Sequence, residues 1–408
     1  MPSTESALAV PDLADPATHA EQDLGEVWRR LRAHDPVHRH PETAAGPGFW
    51  VVTRYADVLR ALRDDAGFSS RGGNVLETLL AGGDMGADRM LPVSDGARHA
   101  ALRRVLLEAF SPRALAGVAE HVRAVTRRLV LAGIERGGCD FATEIASQIP
   151  LETICGLLDV PEADRPELLM LTKSALASDY ADPEAGVDRR ARSAIMIYFL
   201  ELVAARRRSP GTDPISLMAA ARIDGRPIED EDIVLNCYSL IIGGDETSRL
   251  AMIGAARALA AHPDQWAALK RGEATVESAT EEVLRWTSPT THIGRTAVAP
   301  VSWHGSEIAA GDLVTLWTAS ANRDETVFPD PDRFDLARTP NKHLAFGHGR
   351  HYCLGAYLGR VEIAGLLEAL RTHVGEIEQT APERRIYSNF LSGMSSLPVA
   401  LSRDPQAG

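Results

Sequence analysis

Four cysteines occur in the chain, Cys139, Cys155, Cys237 and Cys353, and only the last lies in a segment built for chemistry. It ends the run Phe346-Gly347-His348-Gly349-Arg350-His351-Tyr352-Cys353, with Leu354 and Gly355 following. Apolar residues at Leu358, Val361, Leu366 and Leu367 then predict a helix over 354–374. A cysteine just ahead of a helix meets free backbone N–H groups and the positive dipole end, which favour the thiolate, the form that binds metals. Gly349 permits a tight turn, and Gly355 lets a flat group approach the helix. Phe346 can shield the sulfur, and His351 can bind a carboxylate beside the metal. A chance alignment of Phe346, Gly349, His351, Cys353 and Gly355 is expected on the order of 10⁻⁵ times per chain of this composition. No cysteine pair has CxxC spacing, which argues against structural zinc, and the other three read as small buried apolar residues.

Three more constellations stand out. Gly243-Gly244-Asp245-Glu246-Thr247 interrupts a strongly apolar helical stretch, 231–262. Two interior glycines cost about 1 kcal/mol each relative to alanine, and buried acids need partners or water. Thr247 shares a face with Gly243, so its hydroxyl can compete for that carbonyl and open the helix locally. The result is either a chemical notch or a kink with solvated acids. Glu282 and Arg285 stand at i,i+3, a pair that on an exposed helix contributes only about 0.2–0.5 kcal/mol. His99 and Arg103 share a face by their i,i+4 spacing.

The elements that must position these residues are mostly helical. Apolar periodicity predicts helices near 96–110, 115–136, 143–158, 190–207, 231–262, 275–287 and 354–374. Short strands are expected at Phe49 to Thr53, Arg295 to Trp303 and Asp312 to Thr318, with a turn at His304-Gly305. The expected class is mainly α with small β-sheets (α+β). Residues 321–352 form a long loop, of the kind usually kept for function. The 408 residues, 45% apolar and 24% charged, can bury a large core, and no linker, repeat or low-complexity tract divides them. Residues 1–20 read as a loose tail without the features of a secretory signal, and 21–408 as a single domain. A net charge of −13 argues against general nucleic-acid binding, and no stretch is long and apolar enough for a membrane span. A cytoplasmic protein is expected.

The loop ending at Cys353 resembles the haem-binding loop of cytochrome P450 enzymes, in which a cysteine thiolate holds the iron. The other constellations fit the same family over roughly residues 30 to 400. Gly243 to Thr247 is similar to its small-Gly-x-acid-Thr pattern at every position, and Glu282-x-x-Arg285 to its Glu-x-x-Arg. Pro331-Asp332-Arg333-Phe334 is similar to its Pro-x-Arg-Phe segment, and His99-x-x-x-Arg103 to a haem-contacting helix. Two departures are Gly359, where Ala is usual, and Asp245, a second acid beside Glu246.

The resemblance implies a single haem domain of the P450 fold carrying haem b (iron protoporphyrin IX), with Cys353 as the axial iron ligand. It implies that thiolate donation helps cleave the O–O bond, with Thr247 binding oxygen and delivering protons and Glu246 and Asp245 serving the relay. His99, Arg103, Arg295 and His351 become contacts to the two haem propionates, which need cationic or donor partners when buried. Glu282, Arg285 and Arg333 become a structural lock on the loop leading to Cys353. The implied activity is O₂-dependent hydroxylation or epoxidation of a small organic substrate, in keeping with bacterial secondary metabolism. Oxidative coupling, peroxide-driven oxidation and a non-catalytic activating partner are the alternatives. No GxGxxG fingerprint is present, since Tyr352 takes the last glycine position of the near match, so electrons are expected from a separate ferredoxin and ferredoxin reductase. Arg103, Arg104, Arg113 and Arg350 are the expected docking patch, and a monomer is expected. By the same resemblance the substrate pocket draws on 72–91, 165–198, 290–293 and 390–394.

Overall fold

Helices carry the bulk of the chain, and the predicted ones are present within a few residues of their expected ends, except that 143–158 divides into a π-helical turn at Ala142–Ala146 and an α-helix at Gln148–Leu157. The structure is a computed structural model that describes residues 10–176 and 186–406. The longest helix, Asp230–Ala261, opens with Asp230, Glu231 and Asp232, which complement its positive end, and stops at His262 before Pro263. It crosses the centre of the molecule and packs on Gln148–Leu157, Val187–Arg208 and Val276–Thr287. The helix Ala356–His373 packs against Ala116–Glu135 and Val276–Thr287. Val276–Thr287 itself is capped by Thr275, whose side chain accepts the Ser278 N–H at 3.1 Å.

The largest sheet has five strands in the order Val37–His40, Phe49–Val52, Leu313–Leu316, Ile293–Ala297 and Phe68–Ser69. Phe49–Val52 is buried along its whole length, as an apolar run in a sheet covered on both faces should be. Val314 pairs with Trp50 in parallel register, and the other pairings are antiparallel. The expected turn at His304-Gly305 joins Val301–Trp303 to Ser306–Ile308, with φ of 50° and 83° at its two central residues.

One expectation is corrected. Residues 10–20 are not a loose tail, because Leu13 is fully buried, Ala14 and Thr18 are nearly so, and Pro16–Glu21 forms a helix capped by Asp15. Polar composition hid this, since two small apolar contacts suffice when a fixed surface receives them. Residues 1–9 lie outside the described residues, as do 177–185 of the expected pocket segment and residues 407–408. Among the described residues, no helix is long and apolar enough to cross a membrane.

Candidate active site

The backbone around Cys353 is held tightly. The Cys353 N–H donates to the Phe346 carbonyl at 2.9 Å, closing the loop. Gly349 has φ of 74°, and a side chain there would collide with the Leu62 carbonyl oxygen, so glycine is required on two counts. The following helix starts at Ala356 with Gly355 as its cap, two residues later than the sequence suggested. Burial pushes the Cys353 thiol up, opposed by the Gly355 N–H and by the Arg103 and Arg360 charges. Burial holds Cys139 and Cys155 up at about 12, and Cys237 is fully buried. Only Cys353 of the four is exposed, and what it faces is internal.

That space is a cavity of about 680 Å³ between the Cys353 loop and the middle of Asp230–Ala261. Along its edge His99, Arg103, Arg295 and His351 come together as expected. Arg295 is buried, donates to its neighbour Gly294 O at 2.8 Å, and has no carboxylate within ion-pair distance among the described residues. Burial lowers it to about 10, still charged at neutral pH. His99 is buried with Nε2 unpartnered, and burial, with His351 and Arg103 adding, lowers it to about 4. Its ring lies 4.2 Å from that of His351, whose Nε2 stands 3.3 Å from Asp95. Burial disfavours the Asp95 charge, but hydrogen bonds from His351 and Ser69 outweigh it and hold the acid at about 2. A Cβ at Gly355 would meet nothing within 4 Å. A thiol facing a cavity, an open surface beside it, and unpaired donors and cations at one edge together fit a flat, metal-centred group with anionic arms.

On the opposite wall the Thr247 hydroxyl donates to the Gly243 carbonyl at 3.0 Å, the competition read from the spacing. The helix nevertheless stays continuous through Asp230–Ala261, so the expected local opening does not occur. Gly243 leaves open space toward the cavity, while a Cβ at Gly244 would press on Ile154 at 3.2 Å, so the two glycines serve different neighbours. Glu246 is held by buried Arg249, whose Nε donates to it at 2.9 Å. Asp245 does not line the cavity. One of its oxygens accepts from Thr172 at 3.1 Å, the other has no partner among the described residues, and burial, with the Glu246 charge, raises it to about 7. The expected placement of both acids in one notch is thus corrected, because successive helical residues point about 100° apart.

A third acid was missed. Glu362 lines the cavity, is almost fully buried and has one unpartnered oxygen. Burial raises it to about 8, against hydrogen bonding to Ser248 and Thr153. Its signal was present in the sequence, since Leu358, Glu362 and Leu366 recur at i,i+4 and put a carboxylate on a buried stripe.

The lock exists with one member changed. Glu282 and Arg285 are both fully buried and form a bidentate pair at 2.7 and 2.8 Å. Arg285 also donates to Asn322 O, Pro331 O and Arg333 O at 2.8–3.2 Å. Glu282 accepts from the Asp335 N–H at 2.9 Å, Asn341 at 3.0 Å and Arg338 Nε at 3.2 Å. The Arg333 side chain is exposed and offers only its backbone carbonyl, so Arg338 replaces it. Two arginines five residues apart in an irregular loop cannot be told apart by spacing. Arg103, expected on a docking patch, instead lines the cavity, and its helix face settles the matter. Arg104, Arg113 and Arg350 remain exposed, with Arg350 2.9 Å from Asp65. Of the expected pocket segments the cavity is lined by residues within 74–92, by Arg192 and Met196, by residues within 289–293 and by 388–391, so 165–176 and 392–394 do not line it.

A family model described as cytochrome P450 matches residues 274–373. Cytochrome P450 NovI of Streptomyces niveus is 49% identical over 397 residues, covering 97% of this chain and 98% of that protein. Linalool 8-monooxygenase of Pseudomonas putida is 33% identical over 96% of this chain and 98% of that protein. The crystal structure of P450 OxyD, involved in the biosynthesis of vancomycin-type antibiotics, superposes with a TM-score of 0.89 at 33% identity, covering 97% of this chain and all of that one.

Proposed function

Because the chain belongs to the cytochrome P450 family of haem monooxygenases, we propose that its residues from about 10 onward act as a single haem domain that hydroxylates or epoxidises a small organic substrate in bacterial secondary metabolism. The similarity to NovI and to OxyD supports the metabolic setting. The observation that carries the site is the cavity itself, with Cys353 on one wall, Thr247 on the other, and at its edge His99, whose Nε2 has no partner among the described residues, with Arg295 and Arg103, which form no ion pair there.

In this reading Cys353 would supply the thiolate that holds the haem iron, and Gly349 and the Phe346 carbonyl hold its loop in place. Arg103, Arg295, His99 and His351, which line the cavity together, would hold the two carboxylates of a non-covalently bound haem b. The haem, when bound, supplies oxygen activation and insertion. Thr247 presents a hydroxyl on the substrate side and moves a proton there. Glu246, the residue before Thr247, lines the cavity and is pinned by Arg249. Glu362, protonated at neutral pH by its raised pKa, holds a transferable proton at the cavity wall next to Ser248. The reduced, carbon monoxide-bound protein should show the red-shifted Soret band of thiolate ligation, and Cys353→Ala should abolish it. A spectrum of histidine-ligated haem would overturn the assignment.

Electrons in this reading come from a small acidic ferredoxin and its reductase, docking on Arg104, Arg113 and Arg350. The protein works as a cytoplasmic monomer. Reversing these three charges should slow reduction and flatten its dependence on salt. Unchanged rate and salt slope would rule the patch out.

A further inference from the structure

His292 is fully buried, lines the cavity and lies three residues before Arg295, yet nothing so far gives it a task. Its Nε2 accepts the N–H of Leu76 at 3.1 Å. Leu76 opens the short helix Leu76–Leu80, whose first N–H groups have no partner within the helix. An accepting Nε2 places the ring proton on Nδ1, which stands 3.1 Å from Thr291 Oγ1. The Thr291 hydroxyl in turn donates to the carbonyls of Asn389 and Phe390, both at 3.0 Å, and the Thr291 N–H donates to Phe390 O at 2.9 Å. One neutral imidazole therefore joins three separate walls of the cavity, at 74–78, 290–293 and 388–391. Burial lowers the ring to about 3, so the arrangement survives across ordinary pH.

The same ring is supported from outside. It packs edge-on to Phe390 at 5.5 Å and against Trp317 at 4.8 Å. Trp317 is fully buried, and the ring of His19 stacks on it at 5.7 Å with planes 2° apart. His19 holds the Leu13 carbonyl at 3.0 Å, and Asn389 donates to Ala14 O at 2.7 Å. The N-terminal segment thus reaches the cavity walls through two routes that meet at residues 389–390.

We propose that His292 is a positioning residue that fixes the spacing of the three cavity walls, and so the size of substrate admitted, with the segment from Leu13 to His19 as its outer brace. The proposal rests on the reading of this cavity as the substrate site of a P450. A carboxamide of similar reach can accept from Leu76 and donate to Thr291, so His292→Gln should keep the function that His292→Ala loses.

The test uses the haem-loaded protein with two azoles, imidazole and the larger 4-phenylimidazole, together with amide hydrogen exchange. In His292→Ala the Leu76 amide should exchange about tenfold faster or more, the effect of losing one buried acceptor. Amides of Leu366 and Leu367, in the core of Ala356–His373, should keep their rates. Affinity for 4-phenylimidazole should fall about tenfold and that for imidazole less than about twofold, since only the larger ligand touches the walls. His292→Gln should stay within about threefold of the parent for both ligands. His19→Ala should show the alanine pattern in weaker form, which keeps the test available if His292→Ala does not fold. Unchanged Leu76 exchange, equal loss of both azoles, or equal acceleration of core amides would overturn the proposal. Failure of the parent protein to give an azole shift would instead count against the haem reading, while the exchange data would still decide the role of His292.

Discussion

The loop that carries Cys353 and the packed middles of the helices Asp230–Ala261 and Ala356–His373 are built on different principles. The Cys353 wall is over-determined, with a glycine at positive φ against the Leu62 carbonyl, a closed backbone hydrogen bond, and a fully buried Glu282–Arg285 pair holding the loop that leads to it. Where the middles of Asp230–Ala261 and Ala356–His373 pack together, two buried acids are only half satisfied, Glu362 on the cavity and Asp245 off it, each with an oxygen lacking a partner among the described residues. The loop is held still. The helix-packing region stores two titratable groups, and one of them, Glu362, reaches the cavity. A rigid support and an incompletely paired polar face are the expected division of labour in a site that binds a large group and does proton chemistry beside it.

The largest test of this contrast lies in the lock. Glu282→Ala leaves Arg285 buried without its counter-charge and should lower stability by about 3–5 kcal/mol, read by denaturant unfolding. Arg333→Ala should change it by less than about 0.5 kcal/mol, since that side chain is exposed. Equal effects of the two would restore Arg333 to the lock and remove the distinction between the two regions.

Thr247→Ala should do the reverse of Glu282→Ala. Product formed per O₂ consumed should fall on the order of tenfold or more, with peroxide made instead, while thermal stability changes by less than about 1 kcal/mol. A large loss of stability with unchanged coupling would make Thr247 a helix-packing residue only.

The smallest effect is in pH. Asp245 and Glu362 are raised to about 7 and about 8, so in the folded state they bind protons that the unfolded chain has released. Their contribution is complete below about pH 4 and is lost as pH rises through 7 and 8. Asp95, on the Cys353 side, is lowered to about 2, so its contribution is present above about pH 4 and is lost as pH falls toward 2. Unfolding followed from pH 4 to pH 8 should therefore show a smaller decline in Glu362→Gln than in the parent, and Asp95→Asn should show its difference only at acid pH. Parallel stability curves for the parent and Glu362→Gln would mean that the acid is not buried as described.

Much of the fold was legible because the helices are long and strongly periodic, so small errors at their ends left their faces unchanged. The docking of Leu13 and Ala14 was not legible, since nothing local marks a short polar segment as bound. In the site, Cys353, Thr247, Arg295 and the Glu282–Arg285 pair were read from spacing and resemblance, and the structure brings the first three to one cavity. Arg338 and His292 were missed because their partners lie 56 and 216 residues away in the chain. Glu362 was visible on a buried stripe, but a stripe does not say whether a carboxylate meets a partner or a cavity.

What the sequence by itself determined is local: a cysteine ahead of a helix, glycines where backbones must turn or approach, and a threonine four residues beyond the carbonyl it bonds. Those are properties of neighbouring residues, and helical geometry fixes them before any tertiary contact forms. Only the tertiary structure decided which arginine closes the lock, which acid faces the cavity, and which histidine joins its walls. Each depends on groups brought together across the whole chain, where burial removes water and leaves the choice of partner to distances that no local pattern encodes.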